Sequence, residues 1–430
     1  MPISRRSNLV WLLLLAAGTS SYYFGFLLPQ VRAVRIIKRL NGPYHFGGDF
    51  YPIWLTTREL LTHRSNPYSP EMTRQIQSGV FGRAFDPNNP LDLPANYRTF
   101  AYPLYADILA APCAWMPFSA VQLAGALLAP LLAAGSAVLW LRALGLPARG
   151  ELLALAVVLT LISYPAMEGL YALQPALAVS CLLAAGMFAL RAGRLWLAGI
   201  LLALASIKPQ LILILCFALL LWSVRDWRSR KNFVAGLAGT LLVLMLASYA
   251  ILPGWPADWW RTVSEYRHYT EPPLAQLAFG RFGGSMLAVF LALLAARVCW
   301  LARDEPAQSS KFWLAVSTLL AVTVVLLPSA MAVYDHLVLL PAVLLLYCTE
   351  QQIWGPLAWM GGLVIAWQWI AAVLLVIAAF LWPSLRHNEF AIALPLRADA
   401  PLPFVILALL FLAALGRGAS RRNQLAPHAG

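Results

Sequence analysis

Residues 195–224 read "LWLAGILLALASIKPQLILILCFALLLWSV". Two apolar runs, 195–209 and 210–224, meet at a Lys-Pro pair. Each approaches the ~20 apolar residues that a bilayer-crossing helix needs, and a helix buried among others can be shorter. Lys208 in that setting is expensive unless it snorkels to headgroups or meets an anion. The stretch therefore points to a membrane fold and to one charge within it that needs a partner.

The rest of the chain repeats the pattern. Of its 430 residues, 61% are hydrophobic and 11% are charged. Soluble domains are about 45–50% apolar and about 25% charged. A soluble fold of this size would lack the polar surface to stay in solution, so the chain reads as an integral membrane protein. The net charge of +13 sits in short basic loops, as in the cytoplasmic loops of membrane proteins. No basic run carries the aromatic interleaving of a single-strand binder, so no nucleic-acid partner is expected. Five cysteines, Cys113, Cys181, Cys216, Cys299 and Cys348, form no CxxC pair and read as free thiols. The six histidines show no metal-ligand spacing.

Candidate spans are 8–30, 119–141, 150–167, 175–191, 195–209, 210–224, 233–252, 283–301, 312–328, 334–349, 353–381 and 401–416, about 12 helices. The start, "MPISRRSNLVWLLLLAAGTSS", imitates a signal peptide, but the apolar run continues through "YYFGFLL", as in a retained first helix. Loops such as "RALGLPARGE" and "RDWRSRK" fall on one side, which the positive-inside rule makes cytoplasmic, with both termini inside. Two segments strain this layout. Residues 101–118 hold three prolines and Asp107 and read as a short or re-entrant helix. "VRAVRIIKR" (31–39) lies on the outer side against the charge rule and reads as an interfacial amphipathic segment. The outer side carries loops 41–100, 253–282 and 382–400, with no internal repeat, and the whole of 1–430 reads as one transmembrane domain. "DFYPIWLTTRELLTHR" and "SPEMTRQIQSGVFGR" show helical periodicity and predict short surface helices. Trp259 and Trp260 suit an interfacial belt.

Four polar places stand out, all at span ends on the outer side. Asp49, in "FGGDFYPIW", is either the cap of the following helix or a general base. Gln174, in "LQPA", binds either a sugar hydroxyl or loop backbone. Lys208 either snorkels or meets an anion. Tyr334, Asp335 and His336 enter an apolar helix together in "LPSAMAVYDHLVLLP" (327–341), as cap and structural partner or as a site.

In their order, these motifs resemble glycosyltransferase family 87 of the GT-C superfamily. The matching residues are Asp49-Phe50 with Trp54, then Pro67-Tyr68, then Tyr102-Pro103-Leu104 in place of Tyr-Pro-Pro. Next come Leu173-Gln174 in place of Gly-Gln, Lys208-Pro209, and Ser329 with "YDHLVLLP", which has one histidine where many members have two. The resemblance implies an all-α polytopic GT-C-type fold. It implies transfer of a hexose or pentose, usually mannose and sometimes arabinofuranose, from a polyprenyl-phosphate donor. The acceptor would be a glycolipid or polysaccharide at the outer face of a bacterial inner membrane. Asp49 would be the catalytic base, with no metal or cofactor required, and the partners would be the lipid bilayer and these substrates, the protein acting as a monomer.

The residues agree with that chemistry. A polyprenyl phosphate leaves readily, so the site needs a base for the acceptor hydroxyl rather than an acid. Such direct displacement inverts the anomeric centre. The departing phosphate needs fixed positive charge or donors, for which Lys208 and His336 are the candidates. Trp54, Tyr51 and Tyr102 suit sugar stacking or guidance of the prenyl chain, and Gln174, Tyr334 and Asp335 suit sugar or acceptor binding. Two other classes compete. A polyprenyl-linked sugar polymerase or ligase would centre on arginines and a histidine, as in "WRTVSEYRHY" (260–269). A transporter would favour internal repeats and polar groups near the midplane.

Overall fold

The computed structural model describes residues 5–40, 42–86, 88, 89, 92, 97–349 and 356–425. Residue 41, where the first outer loop begins, and residues 353–355, where one candidate span begins, lie outside them. Among the described residues the only extended pairing is an isolated antiparallel bridge between Pro273 and Ser329. Everything else regular is helix. Lipid offers backbone amides no partner, so each must bond within its own segment. The Leu- and Ala-rich runs are also strong helix formers.

The chain opens with α1 (Arg5–Tyr22), a π-helical turn (Tyr23–Leu27) and α2 (Leu28–Ile37). Then come α3 (Tyr51–His63), α4 (Pro70–Phe81), α5 (Tyr105–Ala110), α6 (Phe118–Leu144), α7 (Gly150–Leu161) and α8 (Tyr164–Ala172). The next are α9 (Ala176–Arg191), α10 (Leu195–Ala205), α11 (Pro209–Arg225), α12 (Trp227–Ile251) and α13 (Trp255–Tyr266). The last are α14 (Leu274–Ala302), α15 (Ser310–Leu326), α16 (Leu340–Thr349), α17 (Pro356–Leu381), α18 (Glu389–Ala393) and α19 (Leu402–Leu425).

Among the described residues six helices are long and apolar enough to cross a membrane, or seven if α7 and α8, bent by 54°, count as one span. Five shorter apolar helices accompany them. The protein is an all-α polytopic membrane protein. All 12 candidate spans fall on these helices, but length and composition qualify only six or seven of them.

Of three notable segments, the first is the short helix that the sequence predicts, and the other two differ from the sequence reading. Residues 101–118 form only α5, six residues long, and a short 3-10 turn, Ala111–Cys113. At 1.5 Å per residue, α5 is far too short to cross a bilayer. Residues 31–37 do not start a separate segment but continue the first helix, which runs unbroken from Val10 to Ile37. Helix α3 is no one-sided surface helix: Tyr51 through Thr57 are all buried. Thr56 and Thr57 place their hydroxyls 2.9 and 3.1 Å from Oδ1 of the buried Asp107 on α5. That polar contact gives one oxygen of the carboxylate its donors inside the apolar joint, while Oδ2 is buried without one, and it ties the two helices together.

The interior has two main parts. One gathers α6, α9, α10, α11, α12 and α15 around Trp140, Phe233 and Trp313. The other packs α3, α4 and α5 around Ile76, Val80, Phe100 and Leu104, with Trp255 of α13 against them. Large apolar side chains such as Leu127, Leu131, Phe282 and Leu293 point outward, as lipid contact requires.

Helices α10 and α12 meet through glycine. A Cβ on Gly236 would lie 2.3 Å from the carbonyl oxygen of Trp196, and one on Gly199 would lie 2.3 Å from that of Phe233. Backbones this close exclude any side chain. We expect Gly236→Leu to destabilise the protein by about 1–3 kcal/mol, read as a lower melting temperature in detergent. Gly239→Ala, one turn on and open to space, should leave it unchanged or higher.

Candidate functional site

The turn before α3 places Asp49. Gly47 sits at φ 71°, in the left-handed region that glycine enters freely. Its N–H donates to the Tyr171 carbonyl at 3.0 Å, and the Asp49 N–H donates to the Ala172 carbonyl at 3.1 Å. The loop is thus pinned to the end of α8. Helix α3 begins after Phe50 with no side-chain cap. Asp49 is therefore not the cap that its position before a helix suggested.

Its carboxylate, 7% exposed, points instead into a polar cluster. Oδ1 accepts from Arg98 Nη1. Oδ2 accepts from Gln174 Nε2 at 2.6 Å. The negative charge of Asp49 holds the Arg98 guanidinium above its ordinary range. Gln174 completes the bridge, because its Oε1 accepts from Tyr102 Oη at 3.3 Å. Tyr102 is held in turn: Tyr68 Oη donates to its carbonyl at 2.9 Å, and Trp259 Nε1 donates to the Ala101 carbonyl at 3.1 Å. Trp259 thus braces the loop that carries Tyr102, whereas Trp260 is exposed.

Leu173 shows how the turn before Gln174 forms without its expected glycine. It ends α8 at φ 49°, ψ 50°. Left-handed backbone is disfavoured for leucine. Packing compensates: the side chain fills the space left by Gly47 and Gly125, whose added Cβ atoms would approach it within 2.9 and 2.8 Å.

Lys208 stands at the break between α10 and α11, with Pro209 in the first helical turn, where a missing N–H loses no bond. Its ammonium is 5% exposed and donates to Asp335 Oδ1, 1% exposed, at 2.5 Å. Nζ also lies 4.7 Å from the centre of the Tyr334 ring. Asp335 comes from the 3-10 turn Val333–Leu339 before α16, and its Oδ2 is buried without a hydrogen bond. The two ion pairs share one field. Tyr102, Tyr266 and Tyr334 all feel both Asp49 and Asp335. Burial pushes the hydroxyls of Tyr102 and Tyr266 up, so they stay neutral donors at neutral pH.

The structure thus brings together Asp49, Tyr102, Gln174, Lys208, Tyr334 and Asp335 of the predicted site. It does not bring in the others by any described contact. His336 is buried, and its Nδ1 has no partner. Tyr51 stacks on Tyr44 at 4.7 Å, and Trp54 packs 5.1 Å from Phe118 with Nε1 donating to the Met116 carbonyl at 3.0 Å. These two aromatics brace α3. Two residues of the cluster escaped the sequence reading. Arg98 stands four residues before Tyr102 in a loop with several arginines, and nothing local sets it apart. Tyr266 lies within "WRTVSEYRHY", where the arginines drew attention; Arg261 in fact pairs with Asp258. Among the described residues no three His, Cys, Asp or Glu side chains gather as a metal site.

Removing one partner of a buried pair strands the other charge at a cost of about 3–5 kcal/mol. Asp335→Ala should therefore lower stability sharply in thermal unfolding. The double replacement Lys208→Met with Asp335→Leu should recover most of that loss while leaving the pair's function absent.

Comparison with known proteins bears on the family. The family model of glycosyltransferase family 87 matches residues 100–330, just over half of the chain. The match includes Tyr102, Gln174 and Lys208 and excludes Asp49, Arg98 and Asp335. No curated protein and no solved structure matches. The ordered motifs, the polytopic helical fold and this match agree, and the chain belongs to glycosyltransferase family 87.

Proposed function

We propose that this glycosyltransferase moves a sugar, mannose in the first instance, from a polyprenyl-phosphate donor to a hydroxyl of a glycolipid or polysaccharide, with inversion and with Asp49 as general base. The observation that carries the reading is the way Asp49 is held. Two donors from distant segments, Arg98 and Gln174, fix one oxygen each. A carboxylate oxygen has two lone pairs, so each keeps one free for an incoming hydroxyl. A rotationally fixed base is what a displacement reaction needs at its acceptor.

The donor phosphate then requires cations that strengthen their hold as charge develops on the leaving oxygen. Lys208 and Arg98 are the proposed pair. Lys208 is balanced by Asp335, so a bound phosphate would share its Nζ with that carboxylate. Arg98 keeps a buried Nε without a partner. His336 stays a candidate only through movement of its turn. Tyr102, bonded to Gln174 beside one ion pair, and Tyr334, against Lys208 of the other, suit contact with sugar hydroxyls or ring faces. The reading needs no metal and no cofactor. A GT-C-type arrangement, a bacterial inner membrane and a site at its outer face complete the proposal, in line with basic loops at the opposite helix ends.

The test uses purified full-length protein, polyprenyl-phosphate sugars carrying labelled mannose, arabinofuranose or glucose, and extracted lipid acceptors. General base catalysis contributes about 10²–10⁴-fold. Asp49→Asn should lose that much transfer while staying folded at the assay temperature, its melting temperature lowered by the unpaired Arg98 charge. Transfer at the wild-type rate in this variant would remove Asp49 from the chemistry.

A further inference from the structure

On the other side of the Asp49 loop lies a second group of cations with no anion to hold. Arg35 Nη1 and Arg98 Nε are each buried without a hydrogen bond, and the Tyr171 hydroxyl has Arg32 as its sole neighbouring donor and no acceptor of its own among the described residues. Tyr171 is one link from the base: its carbonyl accepts from Gly47 N–H, and its ring stands edge-on to Phe46 with centres 6.0 Å apart. Arg32 neighbours the Tyr171 hydroxyl. Arg35 lies within electrostatic reach of Tyr171, Arg98, Asp49 and Glu168.

The charges do not cancel. Three guanidinium groups, Arg32, Arg35 and Arg98, face two carboxylates. Asp49 is already engaged by Arg98 and Gln174. Glu168 accepts from Tyr23 Oη at 3.3 Å. Arg35 makes no ion pair among the described residues. Buried donors are normally satisfied, and orphaned ones ask for a missing acceptor. A planar guanidinium with a phenol beside it fits the oxygens of a phosphate.

The same helix says where that phosphate comes from. Arg32 and Arg35 end the unbroken helix Val10–Ile37. Earlier in this helix, Phe24 and Phe26 line an open groove of about 730 Å³ together with Ile377, Phe380 and Leu381 of α17 and with Arg386. Phe26 and Arg32 are six residues apart, about 9 Å along the helix. A largely apolar groove about two or three turns from this cluster of cations suits a lipid chain and its headgroup. This also explains the basic run "VRAVRIIKR" on a side where the charge rule disfavours it.

We propose that Arg32, Arg35 and Tyr171 form a subsite for the phosphate of an anionic lipid acceptor, which sets that acceptor's sugar against Asp49. The assignment rests on Asp49 being the base, but its test does not depend on transfer. Full-length protein in neutral detergent is titrated with phosphatidylglycerol, phosphatidylcholine and glycerol 3-phosphate, and binding is followed by thermophoresis. Wild type should bind phosphatidylglycerol best. Arg35→Gln should weaken that binding at least tenfold, as loss of a charge-assisted contact does. Tyr171→Phe, which keeps the ring, should weaken it severalfold. Asp49→Asn, which removes a neighbouring negative charge, should bind at least as tightly as wild type. Unchanged affinity in both Arg35→Gln and Tyr171→Phe overturns the subsite, as does equal affinity for phosphatidylcholine. Equal affinity for glycerol 3-phosphate makes it a site for free phosphate and overturns the lipid assignment. If Arg35→Gln does not fold, Arg32→Gln and Tyr171→Phe decide the question. Undiminished transfer by Asp49→Asn would sink the base reading alone and leave the lipid titration standing.

Discussion

A charge inside a helical membrane bundle must find its opposite or stay out. Ammonium and carboxylate groups lose most of their hydration there, and only close pairing returns it. The Lys208–Asp335 pair meets that constraint between two broken elements. Lys208 sits where α10 stops and α11 starts, and Asp335 sits in a 3-10 turn. Both breaks free backbone at depth, which is tolerated only where protein surrounds it. The isolated bridge from Pro273 to Ser329 and the bond from Ala330 N–H to the Pro272 carbonyl hold the second of these turns in place.

The same logic organises Asp49. Its buried carboxylate would be intolerable without Arg98 and Gln174. Fixing it requires a chain of supports: Gly47 to make the turn, the end of α8 to receive it, and Leu173 strained into left-handed backbone so that Gln174 points inward. Strain at such a position is common where a site must be held rigidly. Glycine there would relax the backbone but empty the space between Gly47 and Gly125 that the leucine fills.

Much of the fold was legible. Every apolar run became a helix, and the periodicity in the first outer loop became α3 and α4. Less legible was how those loop helices lie. Helix α3 looks amphipathic enough for a surface, yet it is buried because α5 offers it Asp107 to pair with its two threonines. Of the site, the residue types and their order were legible, and six of the nine named residues converge. The three that do not, Tyr51, Trp54 and His336, are buried too, but Tyr51 and Trp54 pack on Tyr44 and Phe118, and His336 leaves Nδ1 without a partner. Neighbouring positions on a helix face different directions, so proximity in sequence did not carry them to the cluster.

By itself the sequence determined the membrane class, the helical breaks at Lys208-Pro209 and before Asp335, and which polar residues had to be accounted for. These follow from local quantities: hydropathy over ~20 residues, the stiffness of proline, and the cost of a charge in an apolar run. Only the tertiary structure decided who pairs with whom. Asp49 and Arg98 are 49 residues apart, Asp49 and Gln174 are 125 apart, and Lys208 and Asp335 are 127 apart. Pairings across such distances depend on how whole helices pack, down to the contact of Gly199 and Gly236 with facing backbone. No local pattern encodes that packing, and so Arg98, one arginine among many in the sequence, became the partner of the catalytic candidate only in the fold.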